Sequence, residues 1–343
     1  MKKITIQEVA KELNLSRNTV AKALNNSNTV AYETKYMVIK KAYELGYQKL
    51  SQRVLEEYKV KSHIEKAKTV VVFARRELST FWNRIIMGIS EELNKNNCKL
   101  QLNFISDEEE ENLVSPLDME SDMSGIIILN VFSKAFLELI IKKEVPIVFL
   151  DGPSDIYEIA GLGDVILFEG FYSMKMLTKH LIEQGIKEIG FIGDISYCKT
   201  IRDRYDGFME AMCEHHIEPK EQFLITNSVA HKYYRQEEVS TELAGLEQLP
   251  KAFVCANDEI AKDVMLWLKK RGIKVPKEIA VTGFDDKEEV GLLSPSLTTV
   301  HIGNQRMGKR LAQRLIWRLE NKDLPKEIVI INTEVMIRES SVL

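Results

Sequence analysis

Cysteine is sparse in this chain and never paired along it. Its four cysteines, Cys98, Cys198, Cys213 and Cys255, form no C-x-x-C and share no zinc-like spacing with histidine. A disulfide framework is not expected in 343 residues with so few thiols, which points to a reducing compartment. No apolar stretch follows the opening Met-Lys-Lys, so no signal peptide is expected. No run of about 18 uncharged apolar residues occurs, so no membrane span is expected either. Signatures of catalysis are also missing: there is no G-x-S-x-G, no H-E-x-x-H and no P-loop. Gly161-Leu162-Gly163-Asp164 lacks the third glycine of a dinucleotide-binding turn, and the six histidines offer nothing beyond the adjacent His215-His216. Catalysis is therefore not expected, and neither a cofactor nor a bound metal.

What remains is a chain too long for one ordinary core, with room for two or three domains. Apolar residues make up 45% and charged residues 29%, as in other globular proteins. The net charge of -4 hides an asymmetry. Residues 1–66 hold 13 Lys+Arg against 7 Asp+Glu, while the rest holds 34 against 44. A basic head on an acidic body suggests that the head meets a polyanion.

The head is dense in helix signals. Thr5 followed by Glu8 fits a capping box, so a helix is expected from about Ile6 to Leu13. Ser16 can cap a second helix that runs to about Leu24. Thr34 or a neighbour opens a third that reaches Leu45, with Gly46 as its stop. Residues 49–66 are charged, lack an apolar stripe and read as a linker.

From Lys68 onward short apolar strands alternate with amphipathic helices. Strands are expected at 69–74, 99–104, 125–129, 146–150, 188–192, 252–255 and 278–284. Such alternation argues for an α/β body with parallel sheets covered by helices on both faces. Its length exceeds one comfortable sheet, which implies two lobes. The segments 297–302 and 327–338, on either side of a helix at 303–319, suit crossings back between those lobes.

Wound at about 100° per residue, the second helix turns Val20, Ala23 and Leu24 toward a core. Arg17, Asn18, Ala21 and Lys22 occupy an outward arc of roughly 140°. That arc carries a bidentate donor for guanine edges, an amide suited to adenine and a second cation, with a small alanine between them. A helix-turn-helix places such a face in the major groove. A solvated face of a helical bundle is the competing reading.

Thr5-Ile6-Gln7-Glu8-Val9-Ala10, then Leu15-Ser16-Arg17-Asn18-Thr19-Val20-Ala21-Lys22-Ala23-Leu24-Asn25, then Val30, Thr34 and Glu44-Leu45-Gly46-Tyr47 resemble the head of the LacI/GalR family of transcriptional regulators. The family pattern is T-x-x-D-V-A, V-S-x-x-T-V-S-R-x-L-N, V-S-x-x-T and E-L-G-Y. The resemblance implies that Arg17, Asn18 and Lys22, flanking Ala21, read bases. It also implies that Thr5, Thr19, Asn25, Thr34 and Tyr47 hold the DNA backbone, which fixes register without reading sequence. Two positions depart from the pattern. The family's serine-arginine pair is Ala21-Lys22, which keeps a cation but loses the arginine fork. The serine after Val30 is Ala31.

After Gly46-Tyr47 the family reads P-N-x-x-A-R-x-L, a hinge whose leucine wedges into the minor groove. Here the residues are Gln48-Lys49-Leu50-Ser51-Gln52-Arg53-Val54-Leu55. Arg53 and Leu55 fit that role only if one residue is deleted. A flexible basic tether is the alternative.

The resemblance extends over the body and implies a fold like the periplasmic sugar-binding proteins: two Rossmann-like lobes joined by three crossings, with ligand in the cleft at the carboxyl ends of the strands. Asp151 after Ile-Val-Phe-Leu, Arg204 in Arg-Tyr-Asp-Gly-Phe, Asn257 after Val-Cys-Ala, and Asp285 after Thr-Gly-Phe match the family's effector motifs. These groups suit vicinal hydroxyls, with arginine gripping ring oxygens. Asp258 and Asp286 are read as structural. Phe81 and Trp82 offer aromatic faces that could stack on a sugar ring, and the favoured reading puts one ring in the core and one at the cleft. Arg75-Arg76 after the first strand would favour an anionic effector, unless it pairs with Glu77. Ile166-Leu167 replaces the family's D-N and implies a drier pocket.

These readings give a head at 1–48, a hinge at 49–66 and a body at 67–343. The first lobe is expected at 67–163 and 297–324, the second at 164–296 and 325–343. One head makes too few contacts, so a homodimer on pseudo-palindromic operator DNA is expected, with a sugar or sugar derivative as effector. The expected regulator is a repressor in the cytoplasm, on the nucleoid, with no membrane partner. With no leucine-heptad tail before Leu343, no tetramer is expected. The alternatives are a sugar receptor without a DNA role and a sugar-modifying enzyme.

Overall fold

A computed structural model describes residues 4–27, 29–47, 49–50, 54, 68–76, 79–115, 123–141, 145–228, 234–288, 290 and 293–343. The chain divides into two compact units, Met1–Lys68 and Thr69–Leu343.

The first unit is built on three helices: α1 (Ile6–Glu12), α2 (Arg17–Leu24) and α3 (Tyr32–Glu44). Thr5 and Glu8 form a reciprocal capping box on α1, satisfying two backbone donors that the helix cannot use. Ser16 caps α2 by accepting the Thr19 N–H at 3.0 Å. Val9, Ala10, Val20, Ala23, Val38 and Ala42 close the core between them. Gly46 ends α3 in the left-handed region, φ +81°, where glycine carries no Cβ penalty. The third helix begins at Tyr32, earlier than the Thr34 start expected from sequence. Its N-cap is Ala31, which has no side-chain oxygen to offer the first turn. A sequence search for a hydroxyl cap therefore looked past the true start.

The second unit has two lobes. In the first, a six-stranded sheet has the order β11-β5-β4-β3-β1-β2. The strands are β1 (Lys68–Arg75), β2 (Cys98–Ile105), β3 (Met123–Ile128), β4 (Ile147–Leu150), β5 (Asp164–Phe168) and β11 (Ile328–Ile331). In the second lobe, β6 (Ile189–Ile192), β7 (Leu224–Ile225), β8 (Ala252–Cys255) and β9 (Ala280–Thr282) pair in parallel in the order β7-β6-β8-β9.

The period-2 pattern of the strands divides the first lobe into two layers. Val71, Phe73, Ile126, Ile128, Phe149, Val165 and Leu167 share a cluster with α6 (Lys134–Ile141) and α7 (Tyr157–Ala160). Val70, Val72, Ile127, Val148 and Ile166 lie in the other cluster, with α4 (Thr80–Lys95) and α12 (Asn304–Glu320). α4 and α12 approach to backbone contact at Gly88 and Gly308. A Cβ on Gly308 would lie 2.0 Å from the Ile85 carbonyl oxygen, and one on Gly88 2.1 Å from that of Gln305.

The chain crosses between lobes at 168–171, 301–304 and 331–334. The first crossing leads from β5 into α8 (Phe171–Glu183) and the second from β10 (Thr299–His301) into α12. The third runs from β11 into β12 (Glu334–Met336), which pairs antiparallel with β10. Glu169 ties two crossings: the Thr333 hydroxyl donates to its carbonyl at 3.1 Å, and the Ser173 hydroxyl donates to its carboxylate at 2.8 Å.

This corrects the expected lobe borders. Residues 164–168 and 328–331 belong to the first lobe, not the second, because β5 pairs in parallel with both β4 and β11. The start of β5 is anchored by charge. Asp164 is fully buried and accepts from Arg314 Nε at 2.7 Å, from Arg318 Nη2 at 2.7 Å and from the Glu327 backbone N–H at 2.9 Å. α12 and the lead into β11 are thus both fastened to it. No helix of the described residues is long and apolar enough to cross a membrane.

Candidate functional site

Two sets of side chains stand out, one in each unit. On α2 the two faces separate cleanly: Val20 and Ala23 are buried, while Arg17, Asn18 and Lys22 are exposed and Ala21 half-exposed between them. The eight-residue helix is fixed at both ends. At its start, Thr19 is held by Ser16 through backbone and hydroxyl, at 3.0 and 2.8 Å. At its end, Asn26 adopts φ +53°, its N–H reaching the Ala23 carbonyl at 3.0 Å while the Ser27 N–H reaches that of Lys22 at 3.0 Å. This left-handed turn satisfies carbonyls that the helix leaves open.

Of the residues expected to hold DNA backbone, Asn25 is exposed just past α2. Thr5 is exposed, though its hydroxyl also donates to Glu8 at 3.1 Å. Thr34 is half-exposed, and Tyr47 packs against the core of the head. Arg53 and Leu55, the hinge pair, lie outside the described residues. Sequence reading passed over Lys35. It is 7% exposed, and its ammonium donates to Asn26 at Oδ1, 3.0 Å, and at the backbone carbonyl, 3.3 Å. Buried lysines need such partners, but nothing in a single lysine on a helix announces them.

In the body, α9 (Lys199–Glu214) carries Arg204, which is 5% exposed. Its Nη1 donates to the Ala256 carbonyl at 2.7 Å, and its guanidinium stacks 3.6 Å from the Phe284 ring centroid. Nη2 stands 3.9 Å from the Asp285 carboxylate, and Nε, buried, has no hydrogen-bond partner among the described residues. Asp285 is buried at φ +119°. Burial raises its pKa, against the pull of Arg204 and Lys287. Arg204, Asp285 and Asn257 thus converge beyond the strand ends of the second lobe. Asn257 also caps α11 (Asp258–Lys270), accepting the Ile260 N–H at 2.9 Å.

Asp258, read as structural from the sequence, follows Asn257, the cap of that helix. Asp258 accepts the Thr299 hydroxyl at 2.6 Å and the Lys287 N–H at 2.9 Å. Burial, with Asp285 nearby, pushes its pKa up to about 8. Asp286 joins His301 Nδ1 at 2.8 Å and Arg338 Nη2 at 2.7 Å.

The first lobe presents its groups differently. Asp151, at φ +65° after β4, accepts the backbone N–H of Thr200 at 3.2 Å and the Thr200 hydroxyl. Phe81 and Trp82 are half-buried and meet edge to face at 4.8 Å, with Phe168 6.5 Å from Phe81. Both rings thus contact the core, while the sequence reading divided them between core and cleft.

Arg75 is paired with acidic residues of its own lobe. Its guanidinium is spent on Asp107 at 2.8 Å, on Glu110, and on the Val131 carbonyl at 3.0 Å, and it lies 4.6 Å from the Phe132 centroid. Asp107 and Glu110 belong to α5 (Asp107–Glu111), whose five consecutive acidic residues the sequence reading did not connect with Arg75. Arg75 does line a cavity of about 600 Å³, with Glu110, Lys134, Leu137, Ile159 and Tyr197, but Arg204, Asn257 and Asp285 do not line it.

Known proteins resemble both units. Residues 5–49 match the bacterial regulatory proteins of the lacI family, and residues 178–341 match the periplasmic binding protein-like domain. The HTH-type transcriptional repressor PurR of Mannheimia succiniciproducens is 28% identical over 341 residues, covering 98% of each chain. Among solved structures, the transcriptional regulator CelR in complex with cellobiose superposes with a TM-score of 0.70 at 21% identity, covering 98% of this chain and 100% of that one. The lac repressor dimer bound to operator and the anti-inducer ONPF gives 0.65 at 19%, covering 100% of both.

Proposed function

Because this chain belongs to the lacI family of bacterial regulatory proteins and is a transcriptional repressor of that kind, we propose that it binds a pseudo-palindromic operator as a homodimer and is controlled by a small molecule held in the cleft between its lobes. The observation that carries this reading is the face of α2. Arg17, Asn18 and Lys22 stand exposed on one side of a helix whose other side builds the core of the head. Arginine and asparagine there have the donors and acceptors that base edges require. A single three-helix head offers few contacts, and a two-fold dimer doubles them. The relative solved as a dimer on its operator supports that arrangement.

The effector is best read as a sugar or sugar derivative, which the cellobiose complex of a relative supports. Arg204, Asn257 and Asp285 supply donors and acceptors for hydroxyls, and the buried Nε of Arg204 is a donor with no acceptor among the described residues. Closure or opening of the lobes around that molecule would respace the two heads, coupling two sites through two global states.

Mobility shift of the full-length chain on its own upstream DNA tests the first half. Arg17→Ala should weaken specific binding by about 1–3 kcal/mol and relax one base position. Unchanged binding to the best site would remove Arg17 from base reading. Thermal unfolding against a panel of sugars and sugar acids tests the second, since a ligand of the folded state alone raises apparent stability.

A further inference from the structure

We propose that Lys35 is a positioning residue for operator binding, which sets the Lys22 end of the recognition helix and leaves the Arg17 end to its own cap. The inference rests on the operator-binding reading above. Lys35 sits on α3, yet its ammonium points to the turn that closes α2. There it donates to the Asn26 side chain at 3.0 Å and to the Asn26 backbone carbonyl at 3.3 Å. At 7% exposure it is not arranged as a solvated surface cation.

The turn it grips is built on Lys22 itself, whose carbonyl accepts the Ser27 N–H at 3.0 Å. A cation at this spot also faces the negative end of the α2 dipole. Removing it would free the left-handed Asn26 turn, and with it the last turn of α2, where Lys22 lies, and the Asn25 that caps it. The first turn is held separately by Ser16 and Thr19, at 3.0 Å. Lys35 is therefore expected to govern base discrimination at one end of the half-site only.

The test uses the full-length chain and the best duplex it selects from a randomised pool. Lys35→Met keeps the length of the side chain and removes the charge. It should weaken binding on the order of tenfold and relax the base position that Lys22→Ala relaxes, while the position read by Arg17 keeps its preference. On a Lys22→Ala background the same change should cost less than about twofold, and on Arg17→Ala its full effect, since coupled neighbours are not additive and distant sites are. Lys35→Arg should restore most of the binding. Should Lys35→Met fail to fold, Asn26→Gly removes the side-chain acceptor while tolerating the positive φ, and should show the same one-ended profile.

A loss spread evenly over all base positions, or additivity with Lys22→Ala, would overturn the proposal and leave Lys35 a stability residue. A fall of about 0.9 in the salt slope would also overturn it, because that marks a direct phosphate contact. If Arg17→Ala and Lys22→Ala both leave binding intact, the operator reading itself fails. If those two weaken binding while Lys35→Met and Asn26→Gly do not, only the role of Lys35 falls.

Discussion

Asp151, at the end of a strand in the first lobe, caps a helix in the second: its carboxylate accepts the Thr200 backbone N–H at 3.2 Å. The Thr200 hydroxyl donates to the same carboxylate, and the Lys199 N–H reaches back to the Gly152 carbonyl at 3.0 Å. The helix so capped carries Arg204. A residue that the family resemblance assigns to the effector thus serves here as a clasp between lobes.

Asp151→Ala is accordingly expected to cost about 1 kcal/mol of stability, the usual scale of a lost cap. It should also loosen closure in the absence of effector. Small-angle scattering would record the second effect as a larger radius of gyration, and chemical denaturation the first. Wild-type values in both would mean that the contact does not hold the lobes.

The buried cluster at Asp164 gives a sharper expectation. Arg314 and Arg318 both donate to this carboxylate, and both are buried. Burial would raise its pKa, but the hydrogen bonds from Arg318, Arg314 and the Glu327 backbone outweigh it and hold the carboxyl below its ordinary value. Asp164→Ala takes a buried carboxylate from two buried cations, leaving Arg318 its backbone carbonyls and Arg314 its pair with Glu327, and breaking such a pair typically costs about 3–5 kcal/mol. The urea midpoint of the body should drop accordingly. Because the carboxyl is depressed in the folded state, its stabilisation is present above the ordinary carboxylate range and fades as acid titrates through the folded value. The variant should lose that acid-side limb.

Arg204 should separate effector binding from folding. With Nη1 on the Ala256 carbonyl and its plane on Phe284, it is held rigidly, and its Nε lacks a partner among the described residues. Arg204→Met keeps the apolar stem of the side chain and removes the stacked guanidinium with every donor. Any stabilisation by an effector found in a sugar panel should disappear, while operator affinity without effector stays within about threefold, given coupling through the lobes only. Retention of the effector-induced rise in melting temperature would remove Arg204 from the pocket.

Much of this molecule is legible along the chain because its signals are local. Thr5 and Glu8 announce their helix, Ser16 announces the next, and the core strand Ala252–Cys255 stands where its short apolar run places it. The misreadings have a common cause, namely a partner distant in sequence. β5 was passed over and its residues assigned to the other lobe, because pairing with β11, more than 150 residues on, decides its place. For Arg75 the sequence offers an anionic effector or a pair with Glu77, and not Asp107 and Glu110, which stand on another helix. Lys35 looked like any helical lysine until the fold brought Asn26 to it. The hinge departs from the family pattern at Gln48-Lys49, and its Arg53 and Leu55 lie outside the described residues.

Asp258 should make stability depend on pH, in a direction set by the sign of its shift. The carboxyl is wholly buried, its pKa raised by that burial and by Asp285 to about 8. Near neutrality the folded protein therefore binds a proton at Asp258 that the unfolded chain, with an ordinary carboxyl, releases. The proton's contribution to stability is complete below the ordinary carboxylate range and shrinks as pH rises through about 8. Between those limits this one group can tilt stability by at most about 1.4 kcal/mol per pH unit, and by less where Asp285 and Lys287 adjust with it. Asp258→Asn mimics the protonated form and can still accept from the Lys287 N–H and meet the Thr299 hydroxyl. Denaturant midpoints measured from pH 5 to 8 should fall for the native chain and run flatter for the variant, the two curves parting most at the alkaline end. Parallel curves would mean that Asp258 is ionised in the fold, and that Lys287 and Thr299 stabilise its charge more than burial opposes it.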